Sequence, residues 1–278
     1  MTKIIGVHGI GHQFGGANSL REKWLPALKD GVTLAGHHLP EDVSFDCAFY
    51  GDLFRPTGKS AGSVHDVSDA SEWEAQLLQM WWEEAARTYP NVRAPDEATK
   101  SWVMAGAHKA LSALTNASYF SGILESLMFS DLRQVFRYFH DHVVRAKAQA
   151  SIAKLITDDT RVIVAHSLGS VVAYEALCAN PQWPVTHLIT LGSPLGVRNL
   201  IFDALEPTPT EGKGHWPAGV ECWTNISSGD DIVALTKALE PLFMPTIVDL
   251  SISNGAKAHD ACRYLTTREV GHAIAAAF

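Results

Sequence analysis

The chain has 278 residues, of which 46% are hydrophobic and 19% charged, a balance that excludes a disordered polymer and predicts a water-soluble globular protein with a substantial core. A formal net charge of -8 without any Lys/Arg cluster excludes nucleic acid as the main partner, because neutralising phosphates requires gathered cations. The opening MTKIIGVHG has one lysine and a short apolar run broken by glycine and histidine, so no secretory leader is expected; no stretch is long and apolar enough to span a bilayer, and the expected location is cytoplasmic.

In chain order, the first apolar run, residues 3–8, predicts a buried strand. Leu20, Trp24, Leu28 and Val32 then give the stripe of a helix, and 43–50 predicts a second strand. GDLFRPTGKSAGS reads as a loop. Beyond it Ser71 and Glu74 make a capping box ahead of Trp73, Leu77, Met80 and Trp81, with Pro90 closing that helix. A further helix is expected to start near Ser130, its stripe running through Leu132, Val135, Phe136, Phe139 and Val143 and resuming at Ile152 and Ile156. Residues 52–130 are accordingly read as a helical cap inserted between core strands.

Strands follow at 161–166, 185–191, 220–226 and 246–252, with a helix over 171–179 and a terminal one in TREVGHAIAAA. The segment 206–219, EPTPTEGKGHWPAG, reads as a long surface loop without periodicity. Strands that are nearly continuous apolar runs suit a parallel sheet covered on both faces. The expected fold class is therefore α/β, a doubly wound, mostly parallel sheet, with residues 1–278 forming one domain around the inserted cap. Cys47, Cys178, Cys222 and Cys262 lack metal-type spacing and read as buried free thiols.

RVIVAHSLGSVVAYEALCA carries the chemistry. It runs strand, turn, helix, with Ser167 at the turn, the context in which a sharp bend lifts a nucleophilic hydroxyl to a helix N-terminus. The competing structural reading is that Ser167 simply caps the helix. VHGIG, at the end of the first strand, offers a backbone amide at Ile10 to pair with that of Leu168 as an oxyanion hole, glycines on both sides letting the chain turn. His8, Gly9 and His166 flank these positions as candidate pocket residues. An acidic pair, Asp230-Asp231, follows one late strand, and His259 follows the next, which is the order serine, acid, histidine.

These motifs resemble the α/β-hydrolase superfamily, in particular its lipase-like and esterase-like bacterial members. VHGIG is similar to their oxyanion loop and AHSLG to an Ala-x-Ser-x-Gly elbow. GDDIV is similar to an acid loop in which the aspartate directly precedes Ile-Val, which selects Asp231 over Asp230. The resemblance implies the α/β-hydrolase fold, a triad of Ser167, Asp231 and His259, no metal or organic cofactor, and a small-molecule ester or acyl substrate. Thioester hydrolysis and acyl transfer share the same acyl-enzyme, and a non-catalytic ligand-binding protein on this fold is the alternative from another class.

Other patterns carry less. His8 and His12 lie across a glycine turn, and His140 and His142 are two apart on a helix, so neither pair suits a metal. Gly58-Lys59-Ser60 lacks the earlier glycine of a phosphate loop, and Gly9-Ile10-Gly11 has Phe14 where a dinucleotide fingerprint needs a third glycine. Trp73, Trp81, Trp82, Trp102, Tyr119, Phe120 and Phe129 make the cap aromatic, either as its own core or as the lining of an apolar tunnel.

Overall fold

Six apolar runs become the six strands of one sheet in the computed structural model, which describes residues 2–55, 70–95, 109–114, 125–244 and 246–278. The strands are β1 (Thr2–Val7), β2 (Val43–Ala48), β3 (Thr160–His166), β4 (His187–Leu191), β5 (Cys222–Ser228) and β6 (Val248–Ile252). All pairings are parallel, in the order β2-β1-β3-β4-β5-β6. The last three strands each start two residues later than their apolar runs. Val220, for example, is used in a turn, its amide donating to Pro217 O at 2.9 Å. In compensation β5 runs on through two serines, because Ser227 Oγ donates to Lys237 O and Ser228 N donates to the Tyr264 hydroxyl.

Alternation along the strands divides the core between two faces. On one, Ile4, Val162, Val164, Ile189, Leu191 and Ile226 pack with α1 (Ala17–Leu34) and two C-terminal helices, through Leu20, Trp24, Leu28, Val32, Tyr264 and Val270. On the other, Ile5, Val7, Ile163, Ala165 and Leu188 are equally buried, and the helix after β3 packs back over β3 and β1. Burying each large aliphatic side chain in this way contributes about 1.5–3 kcal/mol.

The chain leaves β1 toward β2 and leaves β3 toward β4, in opposite directions along the sheet. The connections that follow them therefore run to opposite faces of the sheet, the kind of switch point at which open α/β sheets commonly bind ligands.

Two compact units arise from this chain. The first, Met1–Leu53 with Val143–Phe278, contains the sheet; the second, Phe54–His142, is inserted between β2 and β3. In the second, α2 (Glu72–Thr88) starts with the expected capping box, Ser71 and Glu74 each bonding the other's backbone amide. Trp81 and Trp82 are buried there, and Trp73 lies 6.0 Å from Phe136 and 5.9 Å from Phe139, ring to ring. Next, α3 (Glu125–His140) starts five residues before Ser130, because ESLMF is itself a run of good helix formers. The helix then breaks at Asp141 and restarts as α4 (His142–Ala153). That break resets the helical phase, so Val143, expected in the apolar stripe, is 60% exposed while Val144, Ala148 and Ile152 face inward. Gly58-Lys59-Ser60, Trp102, Tyr119, Phe120 and the side chain of Phe129 lie outside the described residues.

The 206–219 segment is more embedded than its composition implies. Arg145 pairs with both Glu175 and Glu206, Tyr174 OH donates to His215 O at 2.9 Å, and Gly214 N donates to Leu242 O at 2.8 Å. No disulfide joins the four cysteines, and burial pushes the thiols of Cys47 and Cys178 up to about 12. Among the described residues no helix is long and apolar enough to cross a membrane.

Candidate active site

A single residue separates β3, which ends at His166, from α5 (Leu168–Ala179), and that residue is Ser167. Its φ of 54° and ψ of -132° are unfavourable for a side-chain-bearing residue, a strain of about 1–3 kcal/mol that surrounding bonds must hold. Ser167 N donates to Leu191 O at 3.0 Å, and Ser167 O accepts from both the amide and the hydroxyl of Ser170, at 2.9 and 2.6 Å. Ser170 Oγ in turn lies 2.7 Å from Ser193 Oγ. Although Ser167 occupies the N-cap position, its side chain makes no capping bond, so ordinary helix capping does not explain this serine.

The end of β1 is pressed against this turn. A methyl group on Gly9 would sit 2.6 Å from Ser167 Cβ and 3.1 Å from its Oγ, and one on Gly169 would sit 2.4 Å from the carbonyl oxygens of Val7 and His8. Glycine at both positions is what lets the two segments touch. Ile10 follows Gly9 in the abutting segment. Leu168, the first residue of α5, has an amide that no carbonyl of its own helix can take.

His8 shapes that segment. Its ring stacks on Tyr50, centroids 4.2 Å apart; its Nδ1–H donates to Gly9 O at 2.6 Å, its Nε2 accepts from Tyr50 N at 3.2 Å, and Tyr50 OH donates to His8 O. One donor and one acceptor nitrogen require the neutral ring. Burial and the neighbouring His12 agree, pushing the His8 pKa down to about 3.

Asp231 follows β5 and is fully buried. Oδ2 accepts from His259 Nδ1 and from Tyr264 OH, both at 2.7 Å, and Oδ1 accepts from the amides of Val233 and Ala234 at 2.9 and 3.4 Å. Burial alone would raise this carboxyl, but the charge and hydrogen bond of His259, the Tyr264 bond and the charge of Lys237 together hold it below its ordinary value. Asp230, the alternative acid, is half-buried and accepts from Ser253 Oγ at 3.4 Å, away from the Asp231–His259 pair. The acid loop is fixed by Lys237, whose Nζ donates to Asp231 O while its own carbonyl accepts from Asn225 Nδ2 and Ser227 Oγ.

Both halves bear on the end of β4. Leu191 O takes the Ser167 amide, and the next residue, Gly192 (φ 55°), lies so close to the pair that a methyl group there would be 2.7 Å from Asp231 Oδ2 and 3.0 Å from His259 Nδ1. A second link runs from His166, which donates Nε2–H to His259 O at 2.8 Å. No hydrogen bond joins the Ser167 hydroxyl to the His259 ring in this conformation. Such contacts are commonly long before substrate binds.

Ser167, Gly9, Ile10, Leu168 and His8 thus gather at the ends of β1 and β3, and Asp231 and His259 pair after β5 and β6, with His166 bonded to the His259 carbonyl. Gly192, Tyr264, Lys237 and Tyr50 were not foreseen. Gly192 alone left a signal, a glycine at a strand end; the hydroxyl of Tyr264 is hidden in an apolar helical stripe, and Tyr50 reads as strand core. Among the described residues no three His, Cys, Asp or Glu side chains gather to hold a metal ion. Neither the protein-family models nor the curated proteins compared with the chain match it.

Proposed function

We propose that the protein is a serine hydrolase of the α/β-hydrolase type that cleaves carboxylic esters of small or medium lipophilic acyl groups through an acyl-enzyme on Ser167. The observation that carries this reading is the strained, uncapped backbone of Ser167 at the β3–α5 turn, together with a buried aspartate-histidine pair packed on the same β4 end. Strain of this kind persists where function needs it.

In the proposed reaction His259 Nε2 takes the Ser167 proton as Oγ bonds to the acyl carbon. The amides of Ile10 and Leu168 stabilise the resulting oxyanion, and His259 then gives the proton to the departing alcohol. Water, deprotonated by the same imidazole, attacks the acyl carbon; the bond to Ser167 Oγ breaks, the imidazolium returns its proton to that oxygen, and the acid is released. Asp231 accepts from Nδ1, which fixes the tautomer that leaves Nε2 facing the reaction and stabilises the imidazolium.

A series of nitrophenyl esters of increasing acyl length tests this. Wild type is expected to turn over short and medium chains, and Ser167→Ala to lose at least about 10,000-fold in kcat. Equal activity of the two proteins, or activity confined to peptides or phosphodiesters, would contradict the proposal.

A further inference from the structure

We infer that His166 is a positioning residue for His259, tying the backbone of the base to the strand end that carries the nucleophile. The inference rests on the serine hydrolase reading above and adds to it a residue outside the triad. Asp231 holds the His259 ring at Nδ1, 2.7 Å from Oδ2, a bond that fixes the ring rather than the backbone that carries it. The loop that brings His259 from β6 is largely exposed at Ser253, Gly255 and Lys257. Within it Asn254 Nδ2 donates to Ala258 O and Asp260 N to Lys257 O, both at 3.1 Å, and Asn254 is tied outward through its amide to Ser228 Oγ at 3.2 Å and through its carbonyl to the Arg263 guanidinium.

The bond from His166 Nε2 to His259 O, 2.8 Å long, supplies a second fixed point, and it comes from the residue immediately before Ser167. Ring and backbone of the base are then each referred to the sheet, through β5 and β3 respectively. The His166 ring is itself held, buried with its centroid 4.5 Å from His259, 6.0 Å from Tyr264 and 6.4 Å from Trp24. Donation to a carbonyl places its proton on Nε2. Burial first, and then the nearby His259 and His12, keep the ring neutral, so it does not oppose the positive charge that His259 acquires in the reaction.

Three variants test the inference. His166→Gln keeps an amide donor at the reach of Nε2, His166→Asn keeps polarity but falls short, and His166→Leu keeps volume without a donor. Each is assayed for kcat and KM on a nitrophenyl ester, and for both the rate and the final stoichiometry of fluorophosphonate labelling. Leu and Asn are expected to lower kcat and the labelling rate together, by up to about 100-fold for a displacement on the order of 1 Å, with KM changed little and one label per chain still reached. Gln is expected to restore most of the rate; should the Leu protein not fold, Asn against Gln makes the same comparison. Labelling that stops below one per chain while the reactive fraction keeps the wild-type rate would mean a merely structural role and overturn the inference. So would equal rates in all three variants. A wild-type chain that is not labelled at Ser167 would overturn the hydrolase reading itself, and this inference with it.

Discussion

At the ends of β1 and β3 the chain meets itself through glycines and a strained turn, whereas beyond the ends of β5 and β6 Asp231 and His259 are held by side-chain hydrogen bonds. Gly9 and Gly169 work by having no side chain, so that backbone touches backbone around Ser167. Asp231 works by accumulation, with four hydrogen bonds on its two oxygens and Lys237 on its carbonyl. Steric contact is all-or-none, while a hydrogen-bond network yields in steps. Substitutions on the two sides should therefore fail differently.

The largest effect is expected where the network meets the chemistry. Asp231→Asn keeps the size but offers an amide where His259 needs an acceptor, and kcat should fall about 10,000-fold with KM little changed. A loss below about 10-fold would mean that the network, not the carboxylate, orients the base. On the steric side Gly9→Ala and Gly192→Ala should each lower kcat about 100- to 1000-fold, the first by driving the oxyanion segment off Ser167 and the second by pushing Asp231 and His259 aside. Near-wild-type kinetics in either would break the comparison.

Graded failure is expected from Tyr264→Phe. It removes one of the two donors to Asp231 Oδ2 and leaves the buried Ser228 amide without its acceptor, destabilising the fold by about 1–3 kcal/mol in denaturant titration while lowering kcat only about 10-fold. A loss as large as that of Asp231→Asn would make Tyr264 part of the essential machinery.

Legibility in the sequence follows the same division. The strands and α1 were readable because burial on both faces of a parallel sheet leaves continuous apolar runs, and a helix leaves a stripe such as Leu20, Trp24, Leu28 and Val32. Ser167 and Gly9 were readable because a tight turn is a local event, written in a few adjacent residues. The network was not: Tyr264 reaches Asp231 across 33 positions, and nothing local distinguishes a tyrosine whose hydroxyl has a target from one that merely packs. Val143 departs from its expected stripe for a related reason, since the one-residue break at Asp141 turns it outward and brings Val144 inward.

At His8 the expected effect is on stability and not on turnover. His8 is held neutral in the fold with its pKa near 3, against an ordinary value of 6.5. Between these limits the unfolded chain binds a proton that the folded chain refuses, so His8 makes the fold lose about 1.4 kcal/mol per pH unit as pH falls below about 6.5. Asp231 is displaced in the same direction, its folded value being depressed as well, and the stability it contributes is present above the unfolded carboxylate range and lost progressively as pH falls from there through the lower folded value. His8→Gln should flatten the stability profile between about pH 6 and 4 without changing it above 7. An unchanged slope would mean that His8 is protonated in the fold, against the donor and acceptor pattern at Tyr50 and Gly9.

Ser167 Oγ is the atom expected to attack an electrophile. Wild-type protein treated with a fluorophosphonate, digested and mapped by mass spectrometry should carry one adduct, on the peptide containing Ser167, and the Asp231→Asn protein should acquire the same adduct far more slowly. An adduct on any other residue, or ester turnover that continues with Ser167 unmodified, would contradict it.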